Sequence, residues 1–175
     1  MNQIKLAEDL FAKKDYIEVI RILANNNENL ALILSAQAQF ITGDIEQSIE
    51  KLQKVIAKDN KFFEAYILLI NILIETKDYT QAQHLSAKAY LLKPNNTKII
   101  NLIGLLHFKL GNFINAKEAF EASFKIDTSN TYTKECLSDT YFVLGDFKQA
   151  LKYIYSNTGR IIFDINNNKV GFLYE

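Results

Sequence analysis

The chain contains no tryptophan, one proline, one cysteine and one methionine in 175 residues. The single cysteine, Cys136, excludes an intramolecular disulfide framework, and the start Met1-Asn2-Gln3-Ile4-Lys5 lacks the long apolar core of a signal peptide. A reducing, cytoplasmic setting is therefore expected. Charge of one sign is also missing: twenty basic and twenty acidic residues are interspersed without long single-sign runs. Nucleic acid and anionic membrane surfaces call for concentrated charge, so neither is an expected partner. The longest apolar runs, Ala65 to Ile70 and Ile72 to Ile74, fall far short of the roughly 20 residues that span a bilayer, so membrane insertion is not expected. A Gly-rich phosphate loop, a paired-cysteine zinc motif and a nucleophile elbow are absent as well. No catalytic residue, metal or cofactor is predicted.

What is present is apolar and repetitive. Apolar residues make up 49% of the chain, enough to bury a continuous core. The richness in Ile, Asn and Lys hints at an AT-rich bacterial genome and says nothing of function. Lys77-Asp78-Tyr79-Thr80-Gln81-Ala82 recurs as Gly111-Asn112-Phe113-Ile114-Asn115-Ala116 and as Gly145-Asp146-Phe147-Lys148-Gln149-Ala150, evenly spaced at about 34 residues. A divergent copy, Gly43-Asp44-Ile45-Glu46-Gln47-Ser48, keeps the interval; Lys14-Asp15-Tyr16-Ile17-Glu18-Val19 lies before it at a distance five positions too short.

Around each copy the apolar residues fall at helical spacing, for example Tyr66, Leu69, Ile70 and Leu73 before Asp78, and Ala82, Leu85, Ala89 and Leu92 after it. Each repeat reads as helix, turn, helix. The Asp or Asn suits the N-cap of the second helix, and Glu18, Gln47, Gln81, Asn115 or Gln149 three residues later approaches a reciprocal capping box. Small side chains dominate four residues after the cap (Val19, Ser48, Ala82, Ala116, Ala150) and eight before it (Ala7, Ala36, Ile70, Gly104, Ser138). In an antiparallel pair these places face each other and let the axes approach.

This helix-turn-helix of about 34 residues, with its Gly-Asp-Tyr-like turn and the closing Leu91-Leu92-Lys93-Pro94, resembles the tetratricopeptide repeat (TPR) family over about five repeats, residues 2–157. The resemblance implies an all-α fold: an α-solenoid of antiparallel helix pairs forming a right-handed superhelix. The expected repeats are about 2–28, 29–62, 63–96, 97–130 and 131–159. The expected helices are 2–13, 16–25, 29–42, 45–58, 62–76, 79–92, 97–110, 113–126, 131–144 and 147–157. The first repeat is read as an atypical cap whose boundary falls at Asn25 to Asn29. After Gly159, two apolar runs flanking Asn166-Asn167-Asn168 predict a strand-like tail or hairpin over 160–175. A lone hairpin is marginal in water, so it would cover the last repeat's open face, pair two copies as a homodimer, or belong to an interrupted domain.

The resemblance further implies a non-enzymatic module holding a protein or peptide in the concave surface lined by first helices, as adaptor, scaffold or chaperone-like holder. TPR-built bacterial secretion chaperones are similar in size and repeat type. The alternatives are an accessory region of a larger transferase-type enzyme and a self-assembling structural protein. The candidate groove residues are Ile33, Gln37, Phe40, Ile67, Asn71 and Ile74, expected to take apolar side chains, with Lys98, Asn101, Lys109, Tyr132, Glu135 and Asp139, expected to hydrogen-bond a backbone or polar side chains. Phe108 and Phe142 join Phe11, Phe40 and Ile74 in a row four before the cap, read as packing between adjacent first helices or as ligand contact. A carboxylate clamp is not expected, because the places it needs hold Ile33 with Gln37, or Ile67 with Asn71, while Lys98 is followed by Leu102. His107 reads as a core or half-buried histidine, His84 as solvent-facing, and the acidic pairs Glu8 with Asp9 and Glu118 with Glu121 as solvated faces.

Overall fold

The computed structural model describes residues 3–154, 159–163 and 169–174, with side chains given for residues 3–153. Ten helices fill the described part: α1 (Gln3–Ala12), α2 (Tyr16–Ile22), α3 (Asn29–Thr42), α4 (Ile45–Lys58), α5 (Phe63–Glu75), α6 (Tyr79–Leu92), α7 (Thr97–Lys109), α8 (Phe113–Ile126), α9 (Thr131–Val143) and α10 (Phe147–Ile154). They pair in sequence as five helix-turn-helix repeats. The backbone of β1 (Gly159–Phe163) and β2 (Lys169–Tyr174) runs antiparallel, with Gly159 opposite Tyr174. Their side chains, and the roles expected of residues 160–175, lie outside the described residues.

The five turns share one construction. The residue before each cap has a positive φ: Lys14 63°, Gly43 91°, Lys77 64°, Gly111 77° and Gly145 81°. Behind Gly43, the Gly43 N–H donates to the Phe40 carbonyl at 3.1 Å and the Asp44 N–H to the Gln39 carbonyl at 2.8 Å, which satisfies two of the orphan acceptors at the end of α3. The carboxylates of Asp15, Asp44, Asp78 and Asp146 then accept from the N–H groups of Glu18, Gln47, Gln81 and Gln149 at 3.3, 3.4, 3.1 and 3.1 Å. The reciprocal half of the expected capping box goes elsewhere. At four of the caps the N–H is already committed to the preceding helix, Asp15 to Leu10, Asp44 to Gln39, Asn112 to His107 and Asp146 to Tyr141, and the Gln47 side chain accepts from Gln39 instead.

The chain forms two compact units, 1–94 and 95–175. In the first, α1, α3 and α5 pack side by side while α2, α4 and α6 each pack on the helix before them. The small-residue places meet: Ala7, Val19, Ala36, Ser48 and Ala82 are fully buried, and the Ser48 hydroxyl donates to the Ala36 carbonyl at 2.7 Å. α5 buries eight of its residues, from Phe63 to Ile74. Helix α2 stops at Ile22, three residues short of the expected end. The Asn25-Asn26-Asn27 run turns there, with the Asn26 N–H on the Leu23 carbonyl, and Lys54 and Lys58 reach across from α4 to the Asn27 side chain and carbonyl, both at 2.8 Å.

In the second unit, α7 packs on α8 and α9, and α9 on α8 and α10. Ala116, Phe120, Leu137 and Tyr153 form a buried cluster with Leu105, Phe108, Phe124, Cys136 and Tyr141 around it. The Tyr141 hydroxyl donates to Glu121, and burial together with that carboxylate pushes the phenol pKa up. Glu121 is thereby tied to α9; Glu118 stays exposed, as do Glu8 and Asp9.

Candidate functional site

In the N-terminal unit the first-helix face is built from α3 and α5. Ile33, Gln37 and Phe40 on α3, with Ile67 and Asn71 on α5, are half-buried, each a fixed number of residues before its cap. Ile74, expected beside them, is only 1% exposed. It belongs to the packed side of α5, so it serves the core and not an open surface. The other face of α3 is held by a polar network: Lys51 on α4 donates to the Ser35 hydroxyl at 2.9 Å and to the Gln39 side-chain Oε1 at 2.8 Å, and burial lowers the Lys51 pKa.

In the C-terminal unit the expected residues divide. Lys98, Lys109, Tyr132, Glu135 and Asp139 are exposed. Asn101 is 4% exposed and turns inward, its amide nitrogen 2.8 Å from the Thr133 hydroxyl, which lies 3.4 Å from that of Ser123. A buried amide needs such partners, so Asn101 joins α7 to α9 and is spent on structure. Phe108 and Phe142 meet Phe113 and Phe147 edge to face, with ring centroids 5.2 and 5.3 Å apart, as Phe11 meets Tyr16 at 5.1 Å. Phe11, Phe108 and Phe142 thus each seat on the opening residue of their own repeat's second helix. Phe108 also packs on the cluster containing Leu137 of α9.

Three of the expected residues come together. Phe108, Lys109 and Asp139, with Leu105, Phe120 and Cys136, line a pocket of about 160 Å³. Its inner wall is apolar and its outer edge carries one charge of each sign. The Phe120 ring lies where only a glycine permits it: a Cβ on Gly104 would stand 2.6 Å from Phe120 Cε1. Burial pushes the Cys136 thiol up to about 11, so near neutral pH the pocket wall is an uncharged thiol and a poor nucleophile. His107 is half-buried with its Nδ1 enclosed; His84 is exposed.

Leu105, Phe120 and Cys136 were not among the candidates from sequence. A signal for one of them exists: ten residues before the cap, the second, third and fourth repeats carry Leu34, Leu68 and Leu102, and the fifth carries Cys136. Among the described residues no three His, Cys, Asp or Glu side chains gather to hold a metal ion, and no helix is long and apolar enough to cross a membrane.

Comparison with known proteins gives a consistent picture. Residues 39–106 and 97–130 each match the description Tetratricopeptide repeat. Among solved structures, a thermophilic TPR protein from Thermus thermophilus superposes with a TM-score of 0.76 at 17% identity, over 89% of this chain and 88% of that one. MamA, 41-end, from Desulfovibrio magneticus superposes with a TM-score of 0.73 at 18% identity, over 89% and 93%. At such identities the likeness is one of fold. No curated protein sequence matches the chain.

Proposed function

Because the chain belongs to the tetratricopeptide repeat family, we propose that it is a protein-interaction scaffold that holds a peptide or protein segment on its first-helix faces, as an adaptor or chaperone-like holder and without catalysis of its own. What supports this reading most is the half-buried row on α3 and α5, where the apolar Ile33, Phe40 and Ile67 stand beside the amides Gln37 and Asn71. Apolar side chains give a partner area to bury, and amides both donate to and accept from an extended backbone. The exposed polar side chains Lys98, Lys109, Tyr132, Glu135 and Asp139 extend the same chemistry in the C-terminal unit. A cytoplasmic setting is part of the proposal. So is the division of residues 1–159 into repeats, with 160–175 as a terminal cap or a homodimer edge.

The test is capture of a partner from lysate by the full chain and by a Gln37→Arg, Asn71→Arg double variant. Both sites are half-buried and polar, so the variant is expected to fold, which its unfolding midpoint checks. Capture is expected to fall tenfold or more, since a desolvated mismatch costs about 1.4 kcal/mol at the least. Undiminished capture would move the binding surface off α3 and α5.

A further inference from the structure

The pocket of the C-terminal unit is a break in an otherwise regular pattern. Leu34, Leu68 and Leu102 occupy the place ten before the cap in three successive repeats; at Cys136 the side chain is shorter by two heavy atoms. The fourth repeat adds Phe120 where the third has Ser86, and Leu105 where the third has Asn71. Three departures converge on one spot and leave about 160 Å³ bounded by Leu105, Phe108, Phe120 and Cys136. An engineered cavity of about 150 Å³ lined by Leu, Ile and Phe admits a single benzene, so this pocket has room for one ring or one branched aliphatic group and no more. It is well below the roughly 300 Å³ at which sites for drug-sized molecules and cofactors begin.

The edge defines the rest of the occupant. Lys109 ends α7 and Asp139 stands on α9, both exposed and both lining the same opening. An ammonium donates to a carbonyl oxygen, and each residue of an extended peptide carries one beside its side chain. We infer that this pocket seats a single Leu-, Met- or Phe-sized side chain of an extended peptide, whose own C=O is received by Lys109. The inference rests on the first-helix-face reading and names the anchor that reading lacks. Charge complementarity points to a neutral apolar residue as the anchor, because the inner wall holds no group to pair with a buried charge.

The probes are N-acetyl-leucinamide and N-acetyl-phenylalaninamide, with N-acetyl-alaninamide and N-acetyl-tryptophanamide as too small and too large, added to the full chain labelled with ¹⁵N. Fragments of this size bind in the millimolar range. Amide shifts at Phe108, Lys109, Phe120, Cys136 and Asp139 are expected with the first two and not with the others. Cys136 is the only thiol in the chain, and its alkylation by iodoacetamide is expected to slow about twofold or more at saturating probe. Cys136→Leu restores the leucine of the earlier repeats and is expected to fold and to abolish the shifts. If it lowers the unfolding midpoint, Cys136→Met replaces it and the alkylation arm on the natural protein decides. Absence of shifts and of protection with both probes overturns the inference, as do shifts that persist in the filled variant. Tighter binding of free leucine than of the capped form overturns the peptide assignment. If the pocket stays empty while the Gln37→Arg, Asn71→Arg variant still loses its partner, only the pocket assignment fails; a filled pocket with undiminished capture fails the α3 and α5 surface alone.

Discussion

The third and fourth repeats solve the same packing problem from opposite sides. Where their two helices cross, the third repeat has Ile70 on the first helix and Ser86 on the second; the fourth, at the equivalent places, has Gly104 and Phe120. All four places are buried. The large residue has changed partners, and the room it needs has moved with it, since a Cβ at Gly104 would stand 2.6 to 2.9 Å from three atoms of the Phe120 ring. A repeat therefore fixes the combined volume at the crossing and leaves open which helix supplies it. The consequence is functional as well. In the fourth arrangement the Phe120 ring forms a wall of a pocket.

The comparison is broken most severely by Ile70→Ala. Ile70 is fully buried opposite a small residue, so a cavity costing about 2–5 kcal/mol is expected in urea unfolding. Gly104→Ala comes next: overpacking against Phe120 is expected to cost about 1–3 kcal/mol, and Phe120→Leu in the same chain to recover part of it. Independent, additive losses in the double variant would show that the two residues do not compensate. Asn101→Ala removes the buried link to Thr133, present in the fourth repeat where the third has Ile67, at an expected cost of about 1–3 kcal/mol. Asp78 accepts from Gln81 at 3.1 Å whereas Asn112 makes no side-chain cap bond; Asp78→Ala is expected to cost about 1 kcal/mol and Asn112→Ala clearly less. The smallest effect is at the turn itself, where the third repeat holds Lys77 at φ 64°. Lys77→Gly is expected to stabilise by up to about 1 kcal/mol, because a left-handed backbone strains every side chain but glycine's.

Most of the architecture was legible in the sequence, because turns and caps are local. Asp44, Asp78 and Asp146 announce their helices, and apolar spacing marks the other described boundaries to within a residue or two, the expected end of α10 at 157 lying outside the described residues. The exception at α2 has a tertiary cause, the grip of Lys54 and Lys58 on Asn27. The site was less legible. Spacing tells which row a residue occupies but not how deep it lies. Asn101 and Ile74 sit in the expected rows, yet one is taken by Thr133 and the other is closed over. The pocket escaped because it arises from residues far apart in sequence, Leu105, Phe120 and Cys136, whose departures from their separate rows meet only in the folded chain.

The hinge between paired helices is a shared resource. One amide and one carboxylate of Asp44 finish α3 and begin α4, so inserting or deleting a residue there would strand hydrogen-bonding groups in both directions. Between the first pair and the second the helices end and begin on different residues, Leu23 and Glu28, so length can vary there without touching either cap. That is where this chain shortens its stride, between the caps Asp15 and Asp44, and an Asn clamped by two lysines closes the seam.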